Sequence, residues 1–283
     1  MDTLTTWPLA ARQNLVGVFT DIDDTLTTRG AITPDAFTAL VELKAAGLHV
    51  VAITGRPVGW SEPFACTWPV DAIVAENGAV ALMKAVSLGK ITPVITPMHN
   101  GYVHSLLSKM YQQSAEVRTS NFAHMQRVAA RVLREVDGAQ LAQDSAGRET
   151  DIAIDHNEFT QLAPARIAQV VQIMQSEGMN ATVSSIHING WLGGHNKWVG
   201  AQWIVRALWG RDLGAELHRW VYVGDSTNDQ LMFQHFPHSV GVANVRRFVP
   251  ELTHLPRYIT PSERGKGFAE VASRVLAARR ALP

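Results

Sequence analysis

The most constraining feature of this chain is a short apolar run that stops on acids: LVGVFT at 15–20, followed at once by Asp21-Ile22-Asp23-Asp24-Thr25. Such a run has no polar alternation and reads as a strand buried on both faces. Thr33 and Pro34 then supply an N-cap and a first-turn proline. Ala36, Phe37, Leu40, Val41 and Leu43 recur at helical spacing until Gly47. A second strand of the same kind, LHVVAI at 48–53, ends at Thr54-Gly55. Strand, helix, strand in this order predicts a parallel sheet with crossover connections. A third strand is expected at 71–75. Asn77-Gly78 then reads as a tight turn before a further strand at 79–83.

From about 85 to 189 the pattern changes. Helical spacing is expected near 103–114, 122–136 and 165–175, with two alternating, half-buried segments at 151–155 and 182–191. After Gly193-Gly194 the first style resumes. Lys197 opens a helix carrying Val199, Trp203, Ile204, Ala207 and Leu208, and RWVYV at 219–223 is another buried strand that ends on an acid, Asp225. Short strands at 239–243 and 257–260 and a helix at 268–278 complete the chain. The expected fold is α/β: a Rossmann-like, doubly wound parallel sheet core formed by 1–84 and 190–283, with an inserted α+β cap domain at 85–189. The crossings at 83–87 and 188–194 are expected to act as hinges.

Composition narrows the partners. The chain has 283 residues, of which 46% are apolar and 18% charged, a globular balance. Lys plus Arg equals Asp plus Glu at 25 each, so no basic excess favours nucleic acid or a membrane surface, and an anionic substrate must be held by local groups. Cys66 is the sole cysteine, which excludes an intramolecular disulfide and argues against a thiolate zinc site. The N-terminal residues lack a basic start followed by an apolar run, so the expected location is the cytoplasm. Oligomeric state is not legible.

Ligands in open α/β sheets bind beyond the carboxyl ends of the strands. Asp21 and Asp23 lie there after the first strand, Thr54 after the second, Asp225 and Asp229 after a later one. Four carboxylates converging on one edge would repel one another, so a hard cation is the natural resident. Magnesium suits such a site better than calcium, for which no dedicated loop of oxygen ligands is present. These groups alone would also suit a nuclease or a simple divalent-ion binder. The i, i+2 spacing of Asp21 and Asp23 lets one carboxylate attack phosphorus and the other move protons. Thr54, the Gly55 amide and Lys197 can then surround the phosphoryl oxygens. Asp24 reads as a solvated or capping acid.

At this point the chain resembles the haloacid dehalogenase-like superfamily of phosphohydrolases. The D-x-D-x-T motif matches Asp21, Asp23 and Thr25; the strand ending in a hydroxyl matches Thr54, continued by Gly55-Arg56. The motif lysine matches Lys197, and G-D-x-x-N-D matches Gly224-Asp225-Ser226-Thr227-Asn228-Asp229. The ENGA element at 76–79 is similar to that of the subgroup with its cap between the second and third motifs, such as Cof-type, sucrose-phosphate and mannosylglycerate-phosphate phosphatases. The resemblance implies that Asp21 is the nucleophile and Asp23 the general acid and base. It also implies that Asp21, Asp23 (through its carbonyl) and Asp225 hold magnesium, with Asp229 and Asn228 supporting the site. It departs from the pattern at Trp198, where relatives often carry glycine after the lysine.

Arg56 reads equally as a contact to a substrate phosphate or sugar hydroxyl and as a partner of a surface acid. Trp191 is the one tryptophan placed to stack on a substrate; Arg148, His187 and Asn189 lie on cap segments that could face the site. The 11 histidines include no H-x-x-x-H pair. The expected activity is magnesium-dependent hydrolysis of a small phosphorylated metabolite, a sugar phosphate or related monoester, through an aspartyl-phosphate. A phosphomutase of the same superfamily and a non-catalytic phosphate-binding regulator are the alternatives.

Overall fold

The computed structural model describes residues 1–84 and 107–281, together with the backbone of the paired strands Val94–Ile95 and His104–Ser105. A nine-stranded sheet forms the core. Its spatial order is Asp2–Thr3, Tyr258–Ile259, Ser239–Gly241, Trp220–Gly224, Gly17–Thr20, His49–Ile53, Ala72–Ala75, Val80–Lys84 and Leu107–Tyr111. The first seven run parallel, Val80–Lys84 is antiparallel to Ala72–Ala75, and Leu107–Tyr111 is in turn antiparallel to Val80–Lys84. The strand carrying Asp21 at its end is central, flanked by those that lead to Thr54 and Asp225.

Successive strand residues point to opposite faces, and each face finds its own helices. Val18, Val50, Ala52, Val221 and Val223 face one layer, where Leu40 and Leu43 of the Pro34–Ala45 helix meet Phe268, Val271 and Val275 of Arg264–Arg280. Phe19, Val51, Ile53, Trp220 and Tyr222 face the other, against Ala201, Ile204 and Val205 of Lys197–Trp209 and Met232 and Phe233 of Gln230–His235. The sheet is therefore doubly wound. The N-cap at Thr33 is made as expected, its hydroxyl accepting from the Ala36 amide at 3.3 Å.

The cap is a four-stranded antiparallel sheet in the order Gln140–Leu141, Asp151–Asp155, His187–Trp191, Asn180–Val183. Ala115–Glu135 and Pro164–Ser176 cover it, their Met125, Val128, Val132, Val170 and Ile173 packing on Ile152, Ile154 and Ile188. The opposite side of this small sheet, with Asp151, His187 and Asn189, turns toward the core.

Two expectations are corrected here. The apolar spacing at 103–114 does not produce a helix: Leu107–Tyr111 is a strand paired along its length with Val80–Lys84. Leu107, Met110 and Tyr111 satisfy a helical period, but five ladder pairs to a waiting strand outweigh local periodicity. This strand lies within the stretch assigned to the insertion and yet extends the core sheet. Trp191 does not face a substrate: it is buried in the cap's own core, with its indole N–H donating to the His195 carbonyl at 2.8 Å. Of the two expected crossings, 85–87 lies outside the described residues.

Glycine is required at one junction. Gly78 has φ 107°, and a Cβ there would meet the Asn196 carbonyl oxygen at 2.3 Å. The tight turn thus presses against the segment that leads into Lys197.

Candidate active site

The strand ends deliver the acids to one point. Asp21, Asp225 and Asp229 are buried, and each offers a carboxylate oxygen such that the three oxygens lie within 4.8 Å of one another. Lys197, at the first turn of its helix, donates to Asp21 Oδ1 and to Asp229 Oδ1, both at 2.6 Å. The lysine's helix is started by Asn196, whose side chain caps the Val199 amide at 2.9 Å; Trp198 leaves that start intact and stacks on His235.

Asp229 is fully engaged. Its Oδ1 also accepts from the Tyr222 hydroxyl, and its Oδ2 accepts from the Asp225 and Ser226 amides at 2.8 and 3.1 Å. It anchors the lysine and the turn after the Trp220–Gly224 strand. Asp225 accepts from the side-chain Nδ2 of Asn244 at 2.9 Å. Among the described residues Asp21 Oδ2 accepts no hydrogen bond.

The electrostatics leave the cluster short of positive charge. Three buried carboxylates face one ammonium. Burial pushes the Asp21 carboxyl up to about 7 in spite of Lys197, with Asp229 and Asp23 adding to the rise. Burial, then Asp21 and Asp229, drive Asp225 up as well. Burial alone would lower the Lys197 pKa, but the two carboxylates outweigh it and hold the ammonium's pKa above its ordinary value. Hard oxygen donors in anionic excess are what a divalent cation such as magnesium takes, so the residues present fit that ion.

Thr54 is buried beside this cluster, its Oγ accepting from the Arg56 amide at 3.0 Å, so its own proton is available to a ligand. Thr54, Gly55 and Asn228 line, with Asp21 and Asp23, a narrow cavity of about 10 Å³. The cap closes it through Ser184, Ser185, His187 and Asn189. Asn228 itself accepts from Ser226 Oγ at 2.9 Å.

Asp23 is held differently. Its carboxylate takes both the Nε and one terminal nitrogen of Arg56, at 2.9 Å each. The rest of that guanidinium reaches the cap, to Asp144 at 3.1 Å and Glu158 at 2.7 Å. Arg56 thus meets acids on both sides, and its pKa lies above the usual value because Asp23 and Glu158 overcome the effect of burial. Burial would raise Glu158, but His187, at 2.8 Å, and Arg56 hold its carboxyl at about 2.

A second seam lies behind the first. Cap Arg148 donates to Asp151 at 2.8 Å, to Asp144 at 3.0 Å and to the Gly55 carbonyl at 3.1 Å; Asn189 reaches the same carbonyl at 3.2 Å. From the core, fully buried Glu76 accepts from the Val58 amide and from the Glu149 and Thr150 amides and Thr150 hydroxyl of the cap. Glu76 and Asn77 both adopt left-handed backbone, φ 49° and 54°, a conformation such residues rarely take. Sequence reasoning marked 76–79 as a motif without seeing this role, because neither the strain nor the cross-lobe contact has a local signature. Asp144, Glu158 and Asn244 were missed because they have partners distant in sequence; Tyr222 was missed because an alternating apolar strand residue gives no sign of its hydroxyl partner Asp229.

Carboxylates and a lysine are thus gathered at the carboxyl edge of a doubly wound α/β sheet and roofed by an inserted lobe. The haloacid dehalogenase-like hydrolase family matches residues 18–271, and the chain belongs to that family. It is 23% identical over 278 residues to a Streptococcus pyogenes serotype M6 protein that bears the name "putative phosphatase", covering 89% of this chain and 95% of that one. Its fold is shared by a Thermoplasma acidophilum protein (TM-score 0.65, 15% identity, 92% and 98% of the two chains). It is shared too by the sucrose-phosphatase of Synechocystis sp. PCC6803, solved with sucrose and phosphate (TM-score 0.60, 16% identity, 93% and 98%). No helix among the described residues is long and apolar enough to cross a membrane.

Proposed function

We propose that this hydrolase is a magnesium-dependent phosphatase that cleaves a small phosphorylated metabolite, a sugar phosphate or related monoester, through an aspartyl-phosphate on Asp21. The observation that carries the reading is the buried Asp21 carboxylate, with one oxygen held by Lys197 at 2.6 Å and the other free of hydrogen bonds among the described residues. The phosphatase name of the streptococcal relative points the same way.

In this reading Asp21 attacks phosphorus, and the phosphorus–oxygen bond to the alcohol breaks. Asp23 gives its proton to the departing oxygen, then takes one from the water that cleaves the acyl phosphate, releasing phosphate and restoring Asp21. The Thr54 hydroxyl, the Gly55 amide, Asn228 and Lys197 neutralise and orient the phosphoryl oxygens. Arg56 positions Asp23 rather than the phosphate, since its donors are taken by carboxylates. Asp21, Asp225 and the Asp23 carbonyl would hold magnesium, which when bound would offset phosphate charge; Asp229 supports them through Lys197 and the 225–226 amides.

The narrow cavity, about 10 Å³, has room for about one water and none for an ester. Access therefore requires the cap to lift, and the 188–194 crossing, where Gly193 has φ 112°, is the proposed hinge. The working division is a core of 1–84 and 190–283 and an insertion at 85–189 whose Leu107–Tyr111 segment serves the core sheet. Turnover of phosphorylated metabolites with magnesium tests the reading. Activity should vanish in excess chelator and return with magnesium; full activity in chelator contradicts the metal's part.

A further inference from the structure

Asp23, Arg56 and Ile186 line two cavities at once. One is the small space beside Asp21 and Thr54. The other, about 410 Å³, lies between the Thr27–Thr28/Ala31–Ile32 hairpin, the cap loop carrying Glu158 and Phe159, and the start of the Arg264–Arg280 helix. If Asp23 protonates the scissile oxygen, that oxygen sits between Asp21 and Asp23, and the alcohol part of the ester extends toward this larger cavity. Its volume suits a small metabolite.

The wall of this cavity is unusual. The described chain has five non-glycine residues with left-handed backbone, and three of them line it: Asp24 (φ 54°), Arg29 (φ 52°) and Arg264 (φ 55°). Residues with a Cβ avoid this conformation, and such outliers gather at functional sites. Arg29 and Gly30 form the tip of the hairpin with φ 52° and 77°. The first of two such turn positions ordinarily takes Asn, Asp or Gly. Neither turn chemistry nor burial accounts for an arginine there, since Arg29 is exposed.

Charge pairing leaves Arg29 without an ion pair among the described residues and Arg247 in one exposed pair. Arg56 is shared among Asp23, Asp144 and Glu158, and Arg264 pairs with Asp24 at 2.8 Å. Arg247 has only an open contact to Glu263 at 3.2 Å, with both side chains about half exposed. Arg29 makes no ion pair among the described residues. Phe159, 64% exposed, adds an apolar face from the cap.

We propose that this cavity receives the alcohol part of the substrate and that this part carries a second anionic group, a carboxylate or a phosphate, bound by Arg29 and Arg247. The proposal rests on the phosphatase reading and narrows its substrate class to phosphomonoesters of acidic alcohols. Paired substrates test it: 3-phosphoglycerate against glycerol 3-phosphate for a carboxylate, and fructose 1,6-bisphosphate against fructose 1-phosphate for a second phosphate. In at least one pair the acidic ester should have the higher kcat/KM, by about ten- to a hundredfold, as expected for hydrogen bonds to a charged group. Arg29→Ala and Arg247→Ala should each cut that ratio by roughly tenfold, and Arg29→Glu should cut it further. The ratio is read within each variant, so partial misfolding does not affect it, and the wild-type ratio needs no variant at all. The pair that shows the preference distinguishes carboxylate from phosphate. Equal rates within both pairs, or a ratio indifferent to both arginines, overturn the anionic subsite and leave the phosphatase standing. No turnover of any ester, p-nitrophenyl phosphate included, overturns the phosphatase reading and this subsite with it.

Discussion

The two charged clusters at the centre of this molecule differ in how their acids are held. Around Lys197 the acids outnumber the cation, and all of them come from strand ends of the core. Along the seam, Arg56 and Arg148 hold Asp23, Asp144, Asp151 and Glu158, drawn from both lobes, so that each of these four carboxylates is bound by a guanidinium, whereas Asp225 in the first cluster has no ion pair among the described residues. A buried charge cluster that closes on itself holds parts together; one that does not is a place for an ion and a reacting group. On the proposed reading, the first cluster performs the chemistry and the second sets the position of the lid.

The largest expected effect breaks the first cluster at Asp21, its proposed nucleophile. Asp21→Asn replaces an attacking anion by a neutral amide and should lower kcat by about 10⁴-fold or more, measured with saturating magnesium on a protein whose circular dichroism is unchanged. Retained turnover would remove Asp21 from the chemistry.

Next come the two buried cations, compared directly. Lys197→Met and Arg148→Met each strand buried carboxylates, and each should cost about 3–5 kcal/mol of stability in chelator. Magnesium should restore part of the loss for Lys197→Met, because a divalent ion at Asp21 and Asp225 supplies charge to the same acids. Measured against the unmodified chain with the same ion, it should leave the deficit of Arg148→Met unchanged, because that variant keeps Asp21, Asp225 and Lys197. Thermal unfolding with and without the ion reads both. Equal rescue would erase the distinction between the clusters.

A smaller effect belongs to neither cluster. His195 is buried just after the returning crossing, neither ring nitrogen has a partner among the described residues, and burial lowers its pKa to about 4. A histidine whose folded pKa lies below its unfolded value contributes stability above pH 6.5 that is lost as pH falls toward 4. The loss should reach about 3 kcal/mol near the lower end. The unfolding free energy of His195→Gln should therefore fall less than that of the unmodified chain between pH 7 and pH 4.5. Parallel curves would contradict the assignment.

The difference between the clusters also explains what was legible in the sequence. Asp21, Thr54, Lys197, Asp225 and Asp229 each stand at the end of a periodic element or the start of one, so strand and helix patterns place them on one edge before any coordinates are seen. The seam has no such address. Arg56 could be seen but not paired, because Asp144 and Glu158 lie 88 and 102 residues away. Arg148 and Asn189 were visible as polar residues of the insertion, but their common target, the Gly55 carbonyl, is a backbone atom that no motif reports. Glu76 belongs to a motif whose work, receiving the cap's amides from a left-handed backbone, is three-dimensional. The strand at Leu107–Tyr111 was misread because its apolar spacing fits a helix until a partner strand is supplied.

The central claim is that the phosphoryl group passes through Asp21 while Asp23 moves the protons. Asp23→Asn with magnesium and p-nitrophenyl phosphate tests it most directly, because nitrophenolate departs without much help from an acid while hydrolysis of the acyl phosphate still needs a base. Acid quenching, digestion and mass spectrometry should then find one phosphoryl group on the peptide containing Asp21 and none in the Asp21→Asn protein. Phosphate mapped to any other residue, or its absence from a variant that still releases nitrophenolate, would contradict the account.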